Sequence, residues 1–123
     1  MSTSQEFVNE LVQMDFALEA KKQVVEDWGG DVPESLLFSA LGKAIANNLR
    51  QLPPDQQAQI FSHIETGMQS TNANLKTLVA TGLLESLTSQ ATKTPELKTL
   101  INAYLGVESR RYLVALQRWH DGV

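Results

Sequence analysis

Two histidines are the first residues of this sequence to consider for chemistry, because histidine is the commonest general base and metal ligand. On a helix, a second metal ligand would stand three or four residues from His63, but positions 59, 60, 66 and 67 are Gln, Ile, Thr and Gly. His120 stands close to the C-terminal end of the sequence. We therefore expect surface or structural roles for both histidines and predict no metal site.

Two carboxylates inside apolar stretches, Glu65 and Glu85, are the next candidates for catalysis. Two buried acids can serve as the general acid and general base of a small enzyme. The alternative is structural: Glu85 would accept hydrogen bonds from the N-terminus of the last helix, or pair with Arg110 or Arg111. We favour the structural interpretation, because internal ion pairs perturb carboxylates without any catalysis.

Other catalytic or cofactor-binding patterns are absent from the sequence. Without cysteine, the chain has no disulfide, thiolate nucleophile or cysteine-ligated metal. Its serines form no Gly-x-Ser-x-Gly motif, and Gly29-Gly30 is an isolated pair following a predicted helix, unlike a phosphate-binding loop. The sequence therefore predicts no enzyme and no cofactor.

The distribution of charge along the chain carries the clearest functional signal. The first 34 residues hold eight carboxylates and two lysines, a formal charge of −6, whereas the remaining residues carry +2. On a helical wheel Asp15, Glu19 and Glu26 lie within about 40° of one another, with Lys22 beside them. Such a row is either a solvated helix face or a docking surface for a basic partner. The predicted partner-binding residues are Asp15, Glu19, Glu26, Asp27, Trp28, Asp31 and Glu34.

Two alternatives stay open for this surface. Trp28 would serve as the aromatic anchor of the interface, or it is an ordinary residue of the core or of a helix end. Arg111 and Arg118 share the polar side of the last helix, where they would bind an acidic surface or simply keep the protein soluble.

The bulk composition limits the classes of function. A chain of 123 residues with 42% hydrophobic residues and a net charge of −4 is typical of one soluble globular domain. The acidity argues against nucleic-acid binding. The N-terminus lacks the basic and apolar regions of a signal peptide, and no apolar run approaches the roughly 20 residues of a membrane span. We therefore expect a cytoplasmic protein without membrane contact.

Helices must position all of these residues, since apolar residues recur about every 3.6 positions. The first segment predicts one long helix from about Ser4 to Trp28, or two helices meeting near Asp15, ended by Gly29-Gly30. The stretch Leu75 to Leu87 is apolar nearly all round and belongs in the middle of a bundle, with Leu83 as central core. The side chains predicted to face inward on the first segment and on the last helix are Phe7, Leu11, Met14, Leu18, Val25, Trp28, Tyr112, Leu113, Leu116 and Trp119.

The predicted fold is all-α: a single domain, residues 1–123, forming an antiparallel bundle of five to six helices. In this prediction the acidic N-terminal segment, residues 4–28, packs on a helical body of residues 33–120. Short connections between successive helices favour the antiparallel arrangement.

Three short stretches resemble a family of small helical bacterial proteins similar to immunity partners of polymorphic toxins. They are Ile64-Glu65, the run from Leu78 to Leu87, and the run from Leu105 to Leu113. The last run is similar to a Leu-Gly-Pro-x-Ser-Arg turn, with Val107 in place of proline. The pattern extends over residues 36–119, while the first 34 residues match no known pattern.

The resemblance implies that the chain neutralises a cognate bacterial toxin by binding to it, and it implies no catalytic residues. We therefore expect an immunity protein that occludes the active site of a toxin with a basic surface. The first alternative is a structural or adaptor protein that acts through homo-oligomerisation, for example as a homodimer. The second alternative is the small enzyme that would use Glu65 and Glu85.

Overall fold

The computed structural model describes residues 3–120, without the side chains of residues 119 and 120. The predictions for the Trp119 and His120 side chains therefore lie outside the described residues. The first four helices are α1 Ser4–Leu11, α2 Asp15–Trp28, α3 Glu34–Asn48 and α4 Pro54–Met68, and a 3₁₀ turn, Leu49–Gln51, follows α3. Helix α5 is continuous through three segments, Ala73–Thr77, Leu78–Leu84 and Glu85–Ala91. The last two helices are α6 Pro95–Tyr104 and α7 Val107–His120.

The all-α prediction is confirmed, since residues 3–120 contain helices and no strand. These residues form seven helices where five to six were expected. The additional helix arises because the chain bends after Leu11, and Met14 takes an extended conformation before α2 begins at Asp15. The two-helix interpretation of the first segment is therefore the right one. The antiparallel bundle and the single domain stay predictions.

Helix α5 forms the centre of the core, as its apolar composition predicted. Its middle segment, Leu78–Leu84, is a π-helix in which every residue except Thr81 is buried. Leu83 is completely buried, which confirms its predicted core position. A helix that is apolar on all sides is stable only when neighbours cover all of its faces. Helices α3 and α4 and the start of α7 supply that cover.

The backbones of α3 and α5 approach each other closely where the two helices cross. A Cβ atom on Gly42 would overlap the Leu83 carbonyl group, so glycine is what lets the two backbones approach. The Ser86 hydroxyl donates a hydrogen bond to the Ser39 carbonyl across the same crossing, at 2.7 Å. Together these contacts fix α5 against α3, and α2 packs against α3 as well.

Helix α1 is attached to the core through Phe7. The Phe7 ring stacks on Phe38 of α3 and on His63 of α4, with centroid distances of 5.5 and 4.0 Å. His63 Nε2 lies 2.9 Å from the Phe7 carbonyl oxygen and donates to it, because a carbonyl can only accept. His63 therefore has the structural role expected from the sequence.

The predicted inward face of α2 is wrong in part. Leu18, Val25 and Trp28 are 37, 45 and 55% exposed, although the sequence pattern placed them on the buried side. The bend before Met14 resets the helical phase, so the apolar stripe of α1 does not continue into α2. Ala17 is the buried residue of α2, and the half-buried Lys21 lies on the same side.

Within the described residues, no helix combines the length and the apolarity that crossing a bilayer requires.

Candidate protein-binding surface

The three clustered carboxylates of α2 form an exposed surface, named here the acidic face: Asp15, Glu19 and Glu26. On the helical wheel they point about 160–200° away from Ala17, the residue that α2 buries. The predicted clustering and solvent exposure of these three residues are therefore present in the structure. The acidic face is held by a helix that packs mainly on α3, through small and half-buried side chains.

The carboxylates of the acidic face have no partner within the part of the chain that the structure describes. No described residue donates a hydrogen bond to Asp15, Glu19 or Glu26, and none forms a salt bridge with them. An ionised carboxylate can accept about four hydrogen bonds. Because all three carboxylates are exposed, a basic partner can supply hydrogen-bond donors to them without displacing a contact within the described residues.

The other predicted partner-binding residues are exposed but stand apart from the acidic face. Asp27 lies about 100° from the centre of the acidic face on the helical wheel. It accepts a hydrogen bond from Gln23 Nε2 at 2.9 Å. Asp31 follows Gly29, whose φ of 79° ends α2 in the left-handed conformation, as the sequence predicted. Glu34 opens α3 and accepts a hydrogen bond from the Ser4 hydroxyl. Of the seven predicted residues, three acids therefore share one face of α2, and the other four lie apart from that face.

Trp28 is exposed at the end of α2, so its interpretation as a core residue is wrong. It continues a stripe of exposed apolar side chains, named here the apolar flank: Leu18, Val25 and Trp28. On the wheel Leu18 and Val25 lie about 100° from the centre of the acidic face, and Trp28 lies about 160° from Glu26. Leu18 and Val25 therefore border the acidic face, whereas Trp28 lies towards the far side of α2.

A second exposed surface lies on α7 and carries the opposite charge. Arg111 pairs with Glu108 at 3.0 Å, within the same helix, and Arg118 is exposed. Val107 and Val114 are 67 and 46% exposed on the same side of α7 as these cations. This side of α7 is the alternative surface that the sequence offered for an acidic partner.

Glu65 has a structural role that the sequence interpretation had assigned to Glu85. Its carboxylate accepts hydrogen bonds from the backbone N–H groups of Glu108 and Ser109, at 2.8 and 3.0 Å, and from the Ser109 hydroxyl at 2.8 Å. These N–H groups open α7 and have no partner within their own helix. Gln69 donates a further bond at 3.2 Å, and a Cβ atom on Gly106 would overlap the carboxylate. Glu65 on α4 therefore caps α7.

These hydrogen bonds also fix the protonation of Glu65. Burial alone would raise the pKa of Glu65, but the bonds from Glu108, Ser109 and Gln69 outweigh burial and hold the pKa below its ordinary value of 4.5. A general acid at neutral pH needs a pKa raised towards 7. The environment of Glu65 thus shifts its pKa in the wrong direction for acid catalysis.

Glu85 on α5 also contacts α7, through the side chain of Tyr112. The Tyr112 hydroxyl of α7 donates a hydrogen bond to Glu85 Oε2. Burial, this hydrogen bond and the charge of Glu85 raise the pKa of Tyr112 to about 12. The predicted pairing of Glu85 with arginine is wrong: Arg110 donates to the Asn102 carbonyl, and Arg111 pairs with Glu108. Glu85 also lines a cavity between α5, α6 and α7 that Glu65 does not reach.

Sequence reasoning missed a groove of about 1020 Å³ between the α1–α2 bend and α4, named here the corner groove. Glu10 and Asp15 lie on its α1–α2 side, with Gln59 and Ser62 on its α4 side. The groove exists because the first segment bends instead of continuing as one helix. The corner groove could have been expected from the alternative prediction of two helices meeting near Asp15.

Among the described residues, no group of histidine and carboxylate side chains is arranged to hold a metal ion.

Comparison with known proteins gives one match. A family model described as a domain of unknown function (DUF7674) matches residues 6–120. No curated protein and no solved structure gives a significant match. The family match carries no link to immunity proteins, so that function stays a prediction. Because the match extends over nearly the whole chain, the chain belongs to the DUF7674 family.

Proposed function

We propose that this chain is a protein-binding module, acting in the bacterial cytoplasm as an immunity protein that occludes the active site of a cognate toxin. The observation that carries the proposal is the acidic face, whose carboxylates Asp15, Glu19 and Glu26 have no partner among the described residues. The proposal takes the seven helices as one antiparallel bundle with α2 on its outside.

The physical basis is the complementarity between unpaired carboxylates and a basic cleft. Toxins that act on nucleic acids or nucleotides bind phosphates and therefore present basic surfaces. A row of carboxylates steers such a partner during diffusion and raises the rate of association. The carboxylates exchange water for charged donors on binding, and hydrogen bonds to charged groups are worth about 1.5–3 kcal/mol each.

The apolar flank supplies the second component of an interface. Leu18, Val25 and Trp28 are at least one-third exposed. Leu18 and Val25 border the acidic face, and Trp28 follows them along α2 towards its far side. Charge alone gives fast but weak association, whereas buried apolar and aromatic anchors provide most of the affinity. An interface centred on α2 would combine both contributions on one helix.

The test is neutralisation of the product of the adjacent gene, because immunity genes typically follow the gene of their toxin. Bacteria producing that protein should grow when they also produce the wild-type chain. The double variant Glu19→Lys/Glu26→Lys should fail to restore growth. The matched double variant Asp55→Lys/Glu96→Lys makes the same charge change at exposed acids on other helices, and it should still restore growth.

Three results would count against the proposal. If the adjacent protein is not toxic, or the wild-type chain does not relieve its toxicity, the immunity function is wrong for that pair. If the acidic-face variant protects as well as the wild type, the acidic face is not the interface. Circular dichroism of each variant must first show unchanged helicity, so that loss of protection reports on binding.

The exposed apolar residues favour a second candidate function, that of an adaptor acting through homo-oligomerisation. Val25 and Trp28 on α2, and Val107 and Val114 on α7, are each at least 45% exposed. Exposed apolar side chains that adjoin one another mark interaction surfaces. Analytical ultracentrifugation distinguishes the two functions: this second one requires a wild-type oligomer that Val25→Asp dissociates, whereas an immunity protein needs no self-association.

A further inference from the structure

We propose that the corner groove receives an arginine-bearing segment of the protein partner. This inference deepens the proposed function and rests on it, since it assigns the part of the surface that the partner enters. The groove of about 1020 Å³ lies between the α1–α2 bend and α4, immediately beside the acidic face. Asp15 belongs to both, so one partner can contact the acidic face and the groove at the same time.

The charge of the groove selects a cation. Glu10 and Asp15 line it, whereas no lysine or arginine does. Neither carboxylate accepts a hydrogen bond from a described residue. Glu10 also stands in the last turn of α1, where the helix dipole is negative and α1 has no basic residue to compensate. A positive charge bound here would compensate both the Glu10 carboxylate and the negative end of the α1 dipole.

The walls of the groove favour arginine over lysine. Gln13, Gln56 and Gln59 present side-chain amides on both sides, so several acceptors surround the two carboxylates. A guanidinium group has five N–H donors in a planar fork and can bind several acceptors at once, whereas an ammonium group is a compact point charge. The half-buried ring of Phe16 adds an aromatic face on which a guanidinium group can stack.

The size and the base of the groove indicate a peptide segment. Pockets for small molecules typically measure about 300–1,000 Å³ and enclose their ligand, whereas this groove is open and its volume lies just above that range. Leu11, Met14, Leu52 and Ile60 provide an apolar base beneath the polar rim. An arginine flanked by apolar residues would therefore fit the groove better than an isolated cation.

The test uses a short blocked peptide in which arginine alternates with leucine, and a matched peptide in which lysine replaces arginine. Binding to the full chain is measured by isothermal titration calorimetry at about 150 mM salt, where screening weakens contacts with exposed charges. Glu10→Gln should weaken binding of the arginine peptide by about tenfold or more, as expected for loss of a charged hydrogen bond. Glu96→Gln removes an equal charge at an exposed acid of α6 outside the groove, and it should change binding by less than about twofold.

A second pair of variants tests the groove by its shape. Gln59→Trp fills the groove from α4 without changing the charge, and it should also weaken binding by about tenfold. Gln90→Trp introduces the same side chain at an exposed position of α5 away from the groove, and it should leave binding unchanged. Both glutamines are exposed, so both variants should keep the wild-type helicity.

The expected result is arginine-peptide binding that exceeds lysine-peptide binding and that responds to Glu10→Gln and Gln59→Trp only. Equal weakening by Glu10→Gln and Glu96→Gln would mean that the peptide responds to the overall charge of the protein, and the inference would be wrong. Absence of peptide binding to the wild type would overturn it as well. A protein partner that binds normally to the Gln59→Trp variant would reject the groove and leave the proposed function intact. Failure to find any toxin for a chain that binds the peptide in the groove would reject the proposed function alone.

Discussion

The inward carboxylates of α4 and α5 and the outward carboxylates of α2 have the same chemistry but opposite environments. Glu65 accepts bonds from two backbone N–H groups, a hydroxyl and an amide, and Glu85 accepts one from Tyr112. Glu19 and Glu26 accept none from any described residue. Glu65 and Glu85 use acceptor capacity within the chain to hold α7 in place, whereas Asp15, Glu19 and Glu26 keep theirs available for a partner.

This difference separates the catalytic hypothesis from the binding hypothesis. Glu65 and Glu85 attracted attention because each stands among apolar residues, and both turn out to bind α7. Ser109 is the fully buried residue of the described part of α7, while Tyr112 and Leu113 of the same helix pack against the core. We therefore interpret the inward acids as stabilising and the outward acids as functional, and the following changes test that division.

The largest expected effect concerns the core that positions both inward acids. Leu83→Ala should lower the free energy of unfolding by about 2–5 kcal/mol, because Leu83 is completely buried and a cavity would remain in its place. Chemical denaturation measures the change. A loss below about 1 kcal/mol would mean that α5 is not the centre of the core.

The next effect concerns the cap of α7. Glu65→Gln should lower the free energy of unfolding by about 2 kcal/mol, because the charge that binds the N–H groups of Glu108 and Ser109 is lost. Glu19→Gln is the control, since it neutralises an acid that has no described partner. Equal stability of the two variants would remove the distinction between inward and outward acids.

Glu65 also predicts a pH dependence. Its pKa in the folded chain lies below the ordinary value of 4.5, so its contribution is complete above that pH and is lost as the pH falls through the folded pKa. Urea denaturation between pH 6 and about pH 2.5 should therefore show a steeper loss of stability for the wild type than for Glu65→Gln. Parallel curves for the two proteins would contradict the assignment.

A smaller effect is expected from the second contact of α7. Tyr112→Phe should cost about 1 kcal/mol, because Glu85 loses its hydrogen-bond donor while the ring still packs. The pKa of Tyr112 is raised to about 12, so folding favours the protonated phenol, and this contribution is lost as the pH rises from about 10 towards that value. Denaturation at alkaline pH should show that loss in the wild type and not in Tyr112→Phe.

The smallest effect on stability is expected at the acidic face. Glu19→Lys and Glu26→Lys should each change the free energy of unfolding by less than about 0.5 kcal/mol, as is usual for exposed positions. Thermal denaturation followed by circular dichroism is sufficient to detect a larger change. A loss comparable with that of Glu65→Gln would show that α2 depends on these acids for its own stability.

The sequence predicted the parts of the fold that local patterns determine. The position of α5, the burial of Leu83 and the end of α2 at Gly29 follow from apolar periodicity and from glycine at a helix end. The orientation of α2 was wrong because the bend near Met14 changes the phase between two helices that seem continuous in the pattern. Leu18 and Val25 therefore became exposed.

The role of Glu65 could not be predicted in the same way. Its partners on α7 lie more than 40 residues later in the chain, and a contact of that range depends on how α4 and α7 come together. Two separate features of the sequence pointed to this contact. One is an acid within an apolar helix, and the other is the presence of Gly106 and Ser109 at the start of α7. For the acidic face, the helical wheel was sufficient to predict the cluster of Asp15, Glu19 and Glu26, since a face on one helix requires no tertiary information.

The most direct test of the binding surface is the association rate constant with the product of the adjacent gene, measured over a range of salt concentrations. We predict that Glu19→Lys/Glu26→Lys associates at least about tenfold more slowly than the wild type at low salt, and that the difference narrows as salt screens the charges. The Asp55→Lys/Glu96→Lys control should follow the wild type more closely at every salt concentration. Identical rate constants for the wild type and the acidic-face variant would contradict the account.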